Sequence, residues 1–92
     1  MKKKRSKEFQ KKIGERIKFL RDKKKWTQQQ LGDACDIAKT TIWAYENGKK
    51  NISAQCLDCI MTALGVDAIK FFRSGLFARV IRPAEIRTKI ID

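Results

Sequence analysis

Apolar residues at Phe9, Ile13, Ile17 and Leu20 fall at the i, i+4, i+8, i+11 spacing of one helical face, with charged residues on the others. A first helix is therefore expected from Phe9 to the Lys23–Lys25 stretch. Thr27 follows Trp26 and stands three residues before Gln30, a T-x-x-Q capping box that opens a second helix from Gln28 to about Cys35. Only two or three residues later a third helical run begins near Ala38 or Lys39, with Ile42 and Tyr45 on one face. Asn47-Gly48 ends that run, because Gly48 can take the left-handed conformation that stops a helix without a Cβ penalty. Ser53 then caps a fourth helix with Leu57, Ile60 and Leu64 on its core face and Gly65 at its end. Asp67 can cap a short fifth helix that turns Ala68, Phe71 and Phe72 inward. Nothing up to residue 73 reads as a strand, so the expected fold class is all-α, a five-helix domain.

Beyond Ser74-Gly75 the pattern weakens. Residues 76–82 fit a strand as well as a helix, and Pro83 can open a short helix with Ile86 and Ile90 at i, i+4. These apolar residues exceed what a five-helix core can cover, so a subunit contact is expected of residues 74–92, with packing on their own domain or disorder as the alternatives.

Ninety-two residues suffice for one domain and leave no room for a second catalytic one. Twenty-two Lys plus Arg against ten Asp plus Glu give a net charge of +12, which attracts a polyanion and makes nucleic acid the leading partner. The basic stretch Lys2-Lys3-Lys4-Arg5, with Lys7, is followed by Glu8-Phe9-Gln10-Lys11-Lys12, which holds one apolar residue. That is neither a membrane-binding amphipathic face nor a secretory leader, and no apolar stretch approaches the 18 or so residues that span a bilayer. No membrane role is expected, and the expected location is the cytoplasm. Three cysteines, an odd number, fit reducing conditions. Cys56 and Cys59 form a C-x-x-C that Cys35 could join, but with no histidine and no fourth cysteine a structural zinc site cannot close. The pair lies inside a helical stretch of a chain without a βαβ pattern, so two ordinary thiols are expected, with no metal and no cofactor. An enzyme is disfavoured, since there is no histidine, no glycine-rich phosphate loop and no convincing nucleophile–base pair. An RNA-binding module would need an aromatic-studded sheet.

Twenty residues from Gln28 to Asn47 carry the more specific signal. Leu31 and Cys35 share one face, Ile42 and Tyr45 another, and Ile37 plugs the angle between the two helices. Gly32 provides the small residue where the helices cross, and Asp36 takes the turn position where a left-handed backbone is expected. Together with Ile13-Gly14, Arg16-Ile17, Leu20-Arg21, Thr27-Gln28, Thr41, Tyr45-Glu46, Gly48, Ser53, Leu57 and Ala63-Leu64-Gly65-Val66, the chain resembles the phage Cro/repressor-like (XRE) helix-turn-helix family over residues 12–72. It departs from the family pattern at Asp36, where glycine is favoured, at Ala38 (serine), at Ile52 (proline) and at Trp43 (a small polar residue). The resemblance implies a helix-turn-helix domain over residues 9–73. A basic arm over residues 1–12 leads into the first helix, and residues 74–92 form an extension.

Once Ile42 and Tyr45 are buried, Lys39, Thr40, Trp43, Ala44 and Asn47 face outward at helical spacing. Lys39 can donate to guanine O6 and N7, Thr40 can bond either edge type, and Ala44 can touch a thymine methyl. The resemblance implies base contacts at these three positions. Trp43 beside them can stack on DNA, wedge a neighbour or pack on the C-terminal segment. Gln28 opens the second helix, where free N–H groups favour an anion, and is expected on a phosphate with Asn47, Lys49 and Lys50. The resemblance also implies a structural ion pair of Arg21 with Glu46, and Trp26 in the core. The expected function is a sequence-specific, double-stranded-DNA-binding transcriptional regulator with repression as its mode. It would act as a homodimer on a pseudo-palindromic operator, with recognition helices about 34 Å apart. The alternative is an antitoxin-type member of the family that autoregulates its operon and grips a second protein through residues 74–92.

Overall fold

The computed structural model describes residues 2–77. They form α1 (Lys2–Lys23), α2 (Gln28–Cys35), α3 (Lys39–Glu46), α4 (Ala54–Leu64) and α5 (Ala68–Phe72), closed by one 3-10 turn over Gly75–Phe77. Among the described residues there is no strand, and no helix is long and apolar enough to cross a membrane. The five-helix, all-α fold expected from the hydrophobic pattern is the one observed.

Local chemistry sets the helix ends. The Thr27 hydroxyl accepts from Gln30 N at 3.0 Å while Gln30 Oε1 accepts from Thr27 N at 2.8 Å, so the capping box is complete. Ser53 and Asp67 cap α4 and α5 by accepting from Cys56 N at 3.1 Å and Lys70 N at 2.7 Å. Asp36 ends α2 with φ at 57°, the left-handed backbone a glycine would take more cheaply. α3 begins at Ala38 without any side-chain cap, so its first N–H groups are left to solvent or a ligand.

Two features differ from the pattern. α1 begins at Lys2, well ahead of Phe9, because Lys and Arg are good helix formers. The basic segment expected as an arm is thus helical backbone. Ala68, expected to face inward, is exposed: the core contact of the five-residue α5 is made by Phe71, with Phe72 half-buried beside it.

The core comprises Ile13, Ile17 and Leu20 of α1, Leu31, Ile42, Tyr45, Ile60, Leu64, Phe71 and Phe77. Phe77, within the 74–92 segment for which a subunit contact was expected and packing on its own domain was the alternative, is fully buried, its ring edge-on to Phe72 at 4.9 Å and to Phe9 at 6.1 Å between centroids. α5 is too short to persist alone. Arg16, itself buried, holds it down by donating from Nε to the Phe71 carbonyl at 2.7 Å and from Nη2 to that of Lys70 at 2.8 Å. The expectations for Pro83, Ile86 and Ile90, and most of the 74–92 extension, lie outside the described residues.

Candidate nucleic-acid interface

α3 is set against α1 and α2 by two glycines at which the backbones meet. A Cβ on Gly32 would collide with the carbonyl oxygen of Ile37, and one on Gly14 with those of Tyr45 and Glu46. The helices can pass this closely only because neither position carries a side chain. Ile42, fully buried, and Tyr45, 6% exposed, then fix the rotation of α3 about its axis.

That rotation leaves Lys39, Thr40 and Trp43 exposed on one face, with Ala44 half-buried at its edge. Trp43 is 49% exposed, a large aromatic surface with no core role on the helix. Asn47, also exposed, is partly engaged: its Nδ2 donates to the Trp43 carbonyl at 2.9 Å and closes the C-terminal end of α3. Gly48 follows with φ at 66°, a turn in which Lys49 N reaches the Ala44 carbonyl at 2.8 Å, and exposed Lys49 and Lys50 leave the helix at once. The α1 backbone at Lys11 lies directly behind Gly48, where an added Cβ would come within 3.2 Å of Lys11 Cα.

Arg21 and Glu46 meet as a bidentate pair, Nε to Oε2 at 2.6 Å and Nη2 to Oε1 at 3.0 Å, with Arg21 Nη1 on the Trp26 carbonyl at 2.7 Å. The hydrogen bond to Glu46 holds the Arg21 guanidinium above its ordinary pKa despite burial. Gln28 joins the network, its Nε2 donating to Glu46 Oε1 at 3.1 Å. The network brings the first turn of α2 against the last residue of α3. Sequence reasoning missed this contact, which spans 18 positions and leaves no periodic trace. Gln28 therefore offers a phosphate less than a free side chain would. The N–H groups of Gln28 and Gln29 are a separate matter, since the first turn of a helix has no internal carbonyl for them.

Trp26 is half-buried against the core, with Lys24 Nζ 4.7 Å from its ring centroid. Among the described residues no group of three or more His, Cys, Asp or Glu is arranged to hold a metal ion. What the surface offers is hydrogen-bond donors and positive charge around one protruding helix face.

A family model described as a helix-turn-helix domain matches residues 14–73, which take in α2, the turn, α3 and the helices that brace them. The chain belongs to the helix-turn-helix family. The Cro/repressor-like kind, to which its motifs pointed, is also that of a solved relative. The restriction-modification controller protein C.Esp1396I, solved as a point mutant, matches with a TM-score of 0.68 and 27% identity over 79% of this chain and 91% of its own. A competence pilus inhibition repressor of Acinetobacter baylyi is 35% identical over 60 residues, 65% of this chain and 54% of that protein. The chain thus spans about half the length of that curated relative.

Within this helix-turn-helix domain three departures from the expected pattern have structural counterparts. Ala38 leaves α3 without its side-chain cap, and Asp36 takes up the left-handed turn. Trp43, where the resemblance led to the expectation of a small polar residue, enlarges the exposed face of α3.

Proposed function

We propose that the chain is a sequence-specific double-stranded-DNA-binding transcriptional repressor, with no catalytic activity, that acts as a homodimer on a pseudo-palindromic operator. The observation that carries this reading is the outward face of α3. Lys39 and Thr40 project from its uncapped first turn, Trp43 follows one turn on, and the positions that would twist this face inward are spent on Ile42 and Tyr45. An α-helix fits the major groove, where lysine donors recognise guanine O6 and N7 and threonine either edge type. Ala44, at the border of the face, is placed for a thymine methyl. The free N–H groups of Gln28 and Gln29, together with Asn47, Lys49 and Lys50, hold phosphates on either side and fix the register without reading sequence. The functions for which the two relatives are named, a repressor and a controller protein, support regulation as the purpose.

The test is a selection of bound fragments from random duplex DNA, followed by titration of Lys39→Ala and Lys49→Ala against the selected site and every single-base change in one half-site. Lys39→Ala should cost about 1 to 3 kcal/mol and erase discrimination at one base pair, whereas Lys49→Ala should weaken all sites by similar factors. Uniform weakening by Lys39→Ala would mean that α3 does not read bases. A selection returning no two-fold-related half-sites would remove the dimeric operator.

A further inference from the structure

Phe19, Trp43 and Ile69 are the large hydrophobic side chains that stand exposed among the described residues. Phe19 carries the Arg16 guanidinium 5.5 Å from its ring centroid, and Ile69 belongs to the short α5. Trp43 sits mid-helix on the outward face of α3, and among the described residues no aromatic ring or cation stacks on its indole. The function proposed above gives it no base to meet. We infer that Trp43 is a specificity-determining residue, which packs its indole on the 5-methyl group of a thymine in the major groove. The inference rests on that DNA-binding reading and names one base that α3 selects.

Position places the indole over bases rather than backbone. On a helix the neighbours of Trp43 are the residues three and four away, Lys39 and Thr40 on one side and Glu46 and Asn47 on the other. Lys39, Thr40 and Asn47 are exposed, so Trp43 occupies the middle of the face while the proposed phosphate contacts flank it. Its backbone is held in place. The Trp43 carbonyl accepts from Asn47 N at 3.0 Å and from Asn47 Nδ2 at 2.9 Å, and the adjoining Ile42 is fully buried. With two rotatable side-chain bonds, an indole also loses less freedom on contact than a lysine does.

Charge and polarity choose the occupant. Glu46 is the one acidic residue of α3 and is turned inward onto Arg21, so the helix sets the charge of Lys39 beside the indole and no opposing carboxylate. The exposed Asp36 stands in the turn ahead of α3. Among the groups that the four bases display in the major groove, the thymine methyl is the apolar one, and the others are donors or acceptors. An indole gains by covering that methyl. Its N–H can donate to a single acceptor, but guanine, adenine and thymine all offer one there, so the N–H alone selects little. At about 1.5 Å per residue Trp43 stands about 6 Å along α3 from Lys39, close to two base-pair steps of about 3.4 Å. The selected thymine therefore lies within about two base pairs of the one proposed for Lys39. Ala44, at the border of the face, ends at its own methyl and meets a different base pair.

Replacing thymine by uracil removes this methyl and nothing else. The selected operator, with each thymine of one half-site replaced in turn, is titrated by fluorescence anisotropy against the full native chain, Trp43→Ala and Trp43→Phe. The native chain should lose about fourfold at one thymine, the equivalent of one methyl at about 0.8 kcal/mol and about 1.4 kcal/mol per tenfold. Trp43→Ala should bind the thymine and uracil duplexes alike at that position, while a thymine met by Ala44 keeps its effect. Trp43→Phe, which keeps a ring and loses the N–H, should keep the preference. Each comparison is a ratio within one chain, so an overall loss of affinity or stability cancels. A half-site without a thymine in that range, a native chain indifferent to every replacement, or an effect at that thymine that survives Trp43→Ala overturns the inference. Loss of the preference in Trp43→Phe overturns it too, by assigning the contact to the N–H. In all four cases an operator has been selected and the DNA-binding reading stands; a native chain that binds no duplex removes that reading and the role of Trp43 together.

Discussion

Arg21 of α1 and Glu46 of α3 are joined by two hydrogen bonds at 2.6 and 3.0 Å, with their side chains 10% and 1% exposed. Planar pairing of this kind is among the stronger ion-pair geometries, and its burial makes it costly to break from one side. Removing one partner of a buried pair costs about 3–5 kcal/mol. Two local features decide how the loss divides. Arg21 keeps the exposed Asp22 at 3.3 Å, so Glu46→Ala leaves its charge partly compensated, whereas Arg21→Ala strands Glu46 with only Gln28. Arg21→Ala should therefore be the more destabilising, and a double-mutant cycle by urea unfolding should show coupling above the 0.2–1 kcal/mol or so of exposed pairs. Additive losses would mean that the pair does not hold the helices.

The two helix-crossing glycines give a prediction of sign. Alanine inside a helix ordinarily stabilises relative to glycine by about 0.5–1 kcal/mol. At Gly14 and Gly32 the new methyl would meet backbone carbonyls, which cannot move aside as a flexible side chain would. Gly14→Ala and Gly32→Ala should each lower the melting temperature, by an overpacking cost of about 1–3 kcal/mol or more. Gly75→Ala, with open space around the added Cβ, is the control and should change little. A stabilised Gly14→Ala chain would show that α1 and α3 do not approach this closely in solution.

What the sequence made legible was local. Thr27 with Gln30, Ser53, Asp67 and Gly48 each act within four residues of themselves, and the Ile42 and Tyr45 spacing sets the rotation of α3 without reference to the rest of the chain. What it hid was long-range or made to backbone. The Arg16 bonds to the carbonyls of Lys70 and Phe71 span more than 50 positions, and a carbonyl has no identity to read in a sequence. Phe77 was unreadable for a related reason. Its segment lacks a period, and the gap it fills is formed by Phe9, Phe71 and Phe72 together. At the interface the exposed face of α3 was legible, but the attachment of Gln28 to Glu46 was not, and it ties up the side chain proposed from the sequence for a phosphate.

Alkaline pH probes Tyr45. Burial first, and then its hydrogen bond to Cys56, hold the phenol above its ordinary value. For a folded pKa raised in this way, stability is complete below the unfolded value of about 10 and is lost as pH rises through the folded value. Cys56 shifts in the opposite direction, so the comparison belongs in a Cys56→Ser background where only the phenol titrates at this contact. There, urea unfolding from about pH 9 upward should show a steeper loss for the tyrosine chain than for Tyr45→Phe. Parallel curves would mean that the phenol titrates alike in both states.

The basic start of α1 gives the last prediction. Residues 2–7 carry Lys2, Lys3, Lys4, Arg5 and Lys7 with no acidic residue. Lys11, one turn on from Lys7, lies with its backbone against Gly48, beside the turn that presents Lys49 and Lys50. The charge of this segment is expected to add to the phosphate contacts proposed beside that turn. Such a segment adds affinity by releasing counterions and carries no sequence information. Deleting residues 2–7 should weaken binding to the selected operator and to random duplex by similar factors, with the melting temperature nearly unchanged because Phe9 is retained. The slope of log affinity against log salt should flatten by about 0.9 for each phosphate that the shortened chain no longer neutralises. An unchanged slope would place the charge away from DNA, and a loss confined to the operator would make the segment a reader of sequence.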